Sequence, residues 1–270
     1  MDVAQLAGLT VRFTGGPAVD DLSLRIRAGE RVGLIGESGS GKSLTGLAIA
    51  GLLPDAARSS GSVRISGTEI LNQPEKVLAP LRGRHTAVVF QDSAVALNPL
   101  TSVRAQLRHP LRRLRGFSRA AAETEAQRLL AEVGLTDPAI ARLRPPQLSG
   151  GQRQRAGIAL ALTCQPRLLI ADEPTTALDT TVQREILGVL DETLRAQQGQ
   201  AEQPPGLLFI SHDLAVVAQL CDRIAVLRNG KLVEEGPVRQ IIQQPAQQHT
   251  RELVAAAHAL CPSSTPEPVG

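Results

Sequence analysis

Apolar runs with a period near two open the chain at residues 9–13, 22–26 and 31–35, and read as β-strands. The same signal returns at 63–66, 87–91, 168–172 and 207–211. After residue 43 the apolar positions take a helical spacing to about residue 53. From about 101 to 161 the pattern is helical and rich in Arg, Ala and Leu. Apolar strands alternating with helices predict a parallel α/β core, and the helical middle reads as an inserted subdomain. Asn229-Gly230, between two alternating runs, predicts a hairpin. Residues 197–206 (QQGQAEQPPG) read as a flexible surface connection, and the Pro/Ser/Thr-rich stretch 262–270 as a disordered tail.

Composition narrows the partners. Aromatic residues are 1% of the 270, four Phe with no Trp or Tyr, so the core must be Leu, Ile, Val and Ala. Base-stacking platforms for single-stranded nucleic acid are then missing, and no nucleic-acid partner is expected. The net charge of +3 does not argue otherwise, because 26 acidic residues nearly balance 29 basic ones. One dense run, Arg104, Arg108, Arg112, Arg113, Arg115 and Arg119, is either a solvated helical face or a docking surface for protein or lipid headgroups. Cys164, Cys221 and Cys261 are widely spaced without a CxxC pair, so neither a disulfide framework nor a zinc site is predicted. No leader-like N-terminus and no apolar run near 20 residues is present, which predicts a cytoplasmic chain that serves a membrane only by binding another protein's helices.

Three motifs carry chemistry. Gly36-Glu37-Ser38-Gly39-Ser40-Gly41-Lys42-Ser43 fits G-x-x-x-x-G-K-[ST] between a strand and a helix. In such a loop the glycines let backbone N–H groups face phosphate oxygens, and the helix start adds a favourable dipole. Lys42, one of three lysines, would reach the β- and γ-phosphates, and Ser43 would ligate Mg²⁺. An apolar strand at 168–172 ends in Asp172-Glu173: Asp172 suits the Mg²⁺ shell and Glu173 the polarisation of an attacking water. Alone, such an acidic pair would read equally well as a helix cap. The third motif, Leu148-Ser149-Gly150-Gly151-Gln152, opens a helical stretch with a hydroxyl, free N–H groups and a positive dipole end, a second anion device on one chain.

Together these motifs resemble the ATP-binding-cassette (ABC) ATPases, over roughly residues 5–260. The resemblance implies a P-loop α/β core with an N-terminal antiparallel β portion and a helical subdomain at about 100–160. It implies ATP and Mg²⁺ as ligands, with Gly36 to Ser43 and Leu44 cradling nucleotide and Ser43, Asp172 and Gln91 at the metal. Gln91 also matches the glutamine that contacts the attacking water, and His212 the switch histidine at the γ-phosphate; a lone His after a strand would otherwise be structural. Ser149, Gly150, Gly151 and Gln152 match the signature that closes on nucleotide held by a partner. Asp179 belongs to the interface-crossing loop Ala177-Leu178-Asp179. Phe13 stands where the family stacks an aromatic on adenine, though it keeps an ordinary core reading; Phe in place of Tyr removes a hydroxyl contact. The wording of 36–43, 89–92, 96–100 and 171–179 is similar to the oligopeptide, dipeptide and nickel importer branch. Residues 248–253 (QHTREL) resemble that branch's C-terminal His-Pro-Tyr-Thr-Arg motif, without Pro-Tyr. Longer members carry an iron–sulfur segment; with Cys261 the only tail cysteine, no cluster is expected here. Expected partners are a second cassette ATPase, identical or paralogous, two permease subunits and, indirectly, an extracytoplasmic solute-binding protein, with the chain peripheral on the cytoplasmic face. A repair or translation cassette, or one that binds ATP without hydrolysis, is the alternative. The branch leaves peptide and nickel or metal chelate open as cargo, with the short tail leaning towards the metal.

Overall fold

The computed structural model describes residues 1–175, 179–200 and 204–260, with side chains at all of these except 93–94, 197–200 and 258–260. Ala177 and Leu178 of the interface-crossing loop, Cys261 and the tail 262–270 lie outside the described residues.

Strands fall into two sheets. The first is antiparallel, in the order β2-β1-β4-β5, built from β1 (Asp2–Phe13), β2 (Gly16–Arg27), β4 (Arg58–Ile65) and β5 (Thr68–Glu69). β1 and β2 extend well beyond the apolar runs 9–13 and 22–26. The reason is a pair of bulges. Register shifts fall between Leu6 and Leu9 and between Leu9 and Val11. There Gly8 and Asp21 take φ of 60° and 54°, with Gly8 N–H donating to Ser23 Oγ and Asp21 N–H to Thr10 Oγ1. Each bulge shifts the alternation by one residue, so a continuous strand reads as two broken runs.

The second sheet has the order β10-β9-β3-β8-β7-β6, from β3 (Arg31–Gly36), β6 (Thr86–Val89), β7 (Leu168–Asp172), β8 (Gly206–Ile210), β9 (Arg223–Arg228) and β10 (Lys231–Pro237). All neighbours are parallel except β9 and β10, which turn at Asn229 and Gly230, both with positive φ, as the hairpin signal requires. Its inner strands β3, β7, β8 and β9 are buried on both faces and deal alternate residues to each. Leu168, Ile170, Leu208 and Ile210 join the core shared with the antiparallel sheet and α1 (Lys42–Ala50). Leu169, Ala171, Leu207 and Phe209 join the other, shared with the helices.

α1 ends three residues before the predicted residue 53. Gly51 adopts φ 64°, and the N–H groups of Gly51 and Leu52 donate to Ala48 O and Leu47 O, a left-handed C-terminal cap. α2 (Glu75–Leu78) and α3 (Ser93–Ala96) are single turns. The helical subdomain holds α4 (Val103–Arg113), α5 (Arg119–Glu132) and α6 (Gly150–Leu162); Ser102, Ser118 and Ser149 cap their starts. Three arginines of the dense run pair within the subdomain: Arg104 and Arg108 with Glu123, and Arg115 with Glu125. α7 (Thr180–Gln200) takes up 197–200, and Gly206 opens β8, so the connection predicted at 197–206 is shorter than expected. Its run of Gln is helix-compatible, which turn statistics alone overlook. α8 (Leu214–Leu220), α9 (Val238–Gln243) and α10 (Gln248–Leu260) complete the fold.

Because β3, β6, β7 and β8 are parallel, their C-terminal ends share one edge. Leu34 registers with Ile210 and Ile210 with Asp172, while Val89 registers with Ala171. That edge gathers the loop after Gly36, Asp172-Glu173, His212 and Gln91, the usual ligand side of an open α/β sheet.

Candidate active site

The loop 37–41 is clamped by its own backbone and by walls from other strands. A Cβ on Gly36 would lie 2.2 Å from the Leu227 carbonyl oxygen, and one on Gly41 (φ 99°) 2.5 Å from the Ala18 carbonyl oxygen. Ser40 N–H donates to Glu37 O at 3.2 Å, and Gly230 N–H donates to Ser40 O at 3.1 Å. Lys42 is 5% exposed and folds back over the loop, its Nζ donating to Gly36 O at 2.7 Å and Glu37 O at 2.9 Å. Burial lowers its pKa, and the carboxylates of Glu173 and Asp172 only partly offset this. Ser40 Oγ is buried beside it with no hydrogen-bond partner. A cradle that rejects side chains, an ammonium and an unpaired buried hydroxyl together suit a phosphate.

Next to the loop, Ser43 Oγ donates to Asp172 Oδ1 at 3.0 Å. Burial raises the Asp172 pKa; the Ser43 hydroxyl lowers it, Glu173 raises it and Lys42 lowers it, for a net rise. Hydroxyl and carboxylate oxygens are the donors Mg²⁺ prefers. Among the described residues no group of three His, Cys, Asp or Glu could hold a metal ion. A cation at this pair would therefore complete its shell with phosphate oxygens and water, as Mg²⁺ commonly does.

Glu173 follows with φ 43°, left-handed for a residue that has a Cβ. Its N–H still donates to Ile210 O at 2.9 Å, holding it to β8. The left-handed turn breaks strand alternation and brings Glu173 Oε2 to 3.4 Å from both Gln91 Nε2 and His212 Nδ1. The Glu173 side chain is 18% exposed and that of His212 58%. Three groups able to hold a water thus meet beside the phosphate cradle.

Ser149 heads α6 in a reciprocal capping box: its Oγ accepts from Gln152 N–H, and Gln152 Oε1 accepts from Ser149 N–H. Gly150 is exposed, and a Cβ on Gly151 would lie 2.7 Å from Val182 of α7. Asp179 is exposed and caps α7, accepting from the N–H groups of Thr181 and Val182. Phe13 closes β1 opposite Gly16, half-buried against the antiparallel sheet's core. Glu37, Ser38 and Gly39 are exposed at the loop's crest, and Leu44 is half-buried on α1.

Gln154 went unread in the sequence. It is buried, and its Nε2 donates to Phe90 O at 3.2 Å, pinning α6 to the residue before Gln91. Its polar identity on an inward helix position was the available signal.

Residues 19–176 match the ABC transporter family. The chain belongs to this family and is an ATPase of the cassette type. It is 44% identical over 245 residues to the oligopeptide transport ATP-binding protein OppD of Salmonella typhimurium, covering 90% of this chain and 71% of that one. The probable D,D-dipeptide transport ATP-binding protein DdpD of Escherichia coli is 42% identical, over 95% of this chain and 78% of its own. YejF of Agrobacterium fabrum, a peptidoglycan transport ATP-binding protein, is 44% identical, and this cassette spans 46% of it. The dimeric post-hydrolysis cassette MJ0796, bound to ADP and Pi, superposes with a TM-score of 0.74 at 28% identity, over 87% of this chain and 99% of that one.

Proposed function

We propose that this cassette hydrolyses ATP to drive uptake of peptides through a membrane permease. The observation that carries the hydrolytic reading is the meeting of Gln91, Glu173 and His212 beside the phosphate cradle. Residues 5–260 act as one ATPase unit, with the helical subdomain at about 100–160. Gly36 to Ser43 cradle the β- and γ-phosphates through backbone N–H groups, with Leu44 behind them and Phe13 against the adenine. Lys42 turns from its two loop carbonyls to the γ-phosphate. Ser43, Asp172 and Gln91 hold Mg²⁺, which when bound neutralises charge on the phosphate oxygens. Glu173 orients the attacking water, and His212 reads the γ-phosphate. Positioning and charge neutralisation carry the rate. Ser149, Gly150, Gly151, Gln152 and Asp179 close on ATP held by a second cassette.

The branch resemblance left peptide and nickel or metal chelate open; the peptide names of the relatives favour peptide. Among the described residues no helix is long and apolar enough to cross a membrane, which fits a peripheral subunit bound to two permeases and served by an extracytoplasmic binding protein. The second cassette is identical or paralogous.

Mixed dimers test the composite site. Ser149→Arg should leave ATP binding to its own monomer near normal, yet silence the site formed by its partner's phosphate loop. Loss of ATP binding by the isolated Ser149→Arg monomer would overturn it. Cargo is read by ATPase stimulation of the copurified complex: short peptides should stimulate, and stimulation by nickel chelates alone would reassign it.

A further inference from the structure

The stretch 248–253 has a family likeness but no part in the chemistry above. It forms the first turns of α10, and its start is anchored. Glu234 of β10 accepts the N–H groups of Ala246 at 2.7 Å and Gln247 at 3.0 Å. Arg251 donates to Pro245 O and Ala246 O at 3.0 and 3.1 Å. From this turn His249 faces inward, 3% exposed, with neither ring nitrogen hydrogen-bonded. Its Nδ1 lies 4.0 Å from Glu37 Oε1 on the phosphate loop and 3.9 Å from Glu252 Oε2 on its own helix. Further along α10, Leu253, Ala256 and Ala257 line a cavity of about 230 Å³ whose opposite wall includes Gly36 and His212. One helix face therefore adjoins both the phosphate loop and the histidine turn.

Glu37 connects that face to the chemistry. Its carbonyl oxygen accepts from Lys42 Nζ at 2.9 Å and from Ser40 N–H at 3.2 Å. Whatever restrains Glu37 restrains the platform on which the Lys42 ammonium rests. A buried imidazole with both nitrogens unpaired makes poor core filler, a role Leu would fill better. Its position between two carboxylates instead suits a polar tether.

We propose that His249 is a positioning residue: it tethers the Glu37 side chain and thereby couples α10 to ATP binding. This rests on the phosphate-loop reading given above. The exposed Glu37 side chain needs only a small rotation to close the remaining gap to the ring nitrogen.

The test is the affinity of the full chain for mant-ATP, with thermal melting alongside. His249→Leu should weaken binding roughly 5- to 10-fold, the effect of one ordinary lost hydrogen bond, with a melting midpoint at or above the parent's. His249→Gln, which can still donate to Glu37, should bind within about twofold of the parent. Glu37→Ala, which leaves no acceptor, should weaken binding as His249→Leu does, and the double variant should be no worse than either single, because both remove one interaction. Parent-like affinity in His249→Leu, or additive losses in the double variant, would overturn the tether. So would equal losses in His249→Leu and His249→Gln, the pattern of a space-filling residue. Should His249→Leu fail to fold, Glu37→Ala decides, since that side chain is 69% exposed; normal affinity there removes the coupling. Lys42→Ala separates the two readings. If it abolishes binding while the His249 variants are normal, only the tether falls; if it binds like the parent, both fall.

Discussion

Glu173 carries a conformational cost that its proposed role makes necessary, and the cost is measurable. A non-glycine residue in the left-handed region gives up about 1–2 kcal/mol relative to a right-handed one. Glu173 sits there at φ 43°. Glycine at this position removes the strain, but loses about 0.5–1 kcal/mol through the greater freedom of the unfolded chain. The net expectation for Glu173→Gly is a gain of about 0.5–1 kcal/mol, or a rise of roughly 1–4 °C in melting temperature for a chain of this size. Removing the carboxylate also relieves Asp172, whose pKa Glu173 helps raise, so Glu173→Ala is the control. It loses the same charge but keeps the Cβ, and the Gly-minus-Ala difference isolates the backbone. Scanning calorimetry without nucleotide reads stability, and phosphate release with Mg·ATP reads turnover. Both variants should lose about 100- to 10,000-fold in turnover, as expected when a water-orienting carboxylate is removed. A glycine variant that melts at or below the alanine variant would refute the strain argument. Turnover within about twofold of the parent would refute the role of the carboxylate.

Phe13→Ala should weaken ATP and ADP alike by about 1 kcal/mol or somewhat more in equilibrium binding, with little change in melting; a large stability loss at unchanged affinity would return Phe13 to the core. Glu30 accepts from the Arg27 N–H of β2 and from the Arg223 guanidinium of β9, which also donates to Arg25 O of β2, so it helps to tie the two sheets together. Burial pushes the Glu30 pKa up, but the Arg223 side chain and the Arg27 N–H outweigh it, and the net is lowered. Its stabilisation is therefore present above the ordinary carboxylate pKa and lost as pH falls through the lowered one. Glu30→Gln should cost about 1–3 kcal/mol at pH 7 in urea unfolding, and the difference from the parent should narrow below about pH 4; a gap unchanged with pH would contradict this. Burial pushes the Cys221 thiol up to about 12, and the buried Cys164 is also raised. Neither should react with a disulfide reagent at pH 8 until the chain is unfolded; mass spectrometry finding either one labelled in the native protein would show the burial to be wrong.

The sequence carried the phosphate loop, the acidic strand end and the Ser-Gly-Gly helix start because each is local. Each needs only a few consecutive residues between a strand and a helix, and short-range chemistry is written in order along the chain. The α/β class was legible for the same reason: strands buried on both faces read as apolar runs in any tertiary setting. Several features were not legible. The bulges at Gly8 and Asp21 disguised two long strands, because pairing, not propensity, decides where alternation resets. The convergence of Gln91, Glu173 and His212 depends on strands placed side by side in the sheet from distant parts of the sequence. The left-handed turn at Glu173 could not be read from residue type, since Glu does not choose that conformation. Gln154 beneath Phe90 and His249 beside Glu37 are polar residues on helices whose partners lie 64 and 212 positions away. A sequence says that such a residue is polar; only packing decides whether it faces water or an active site.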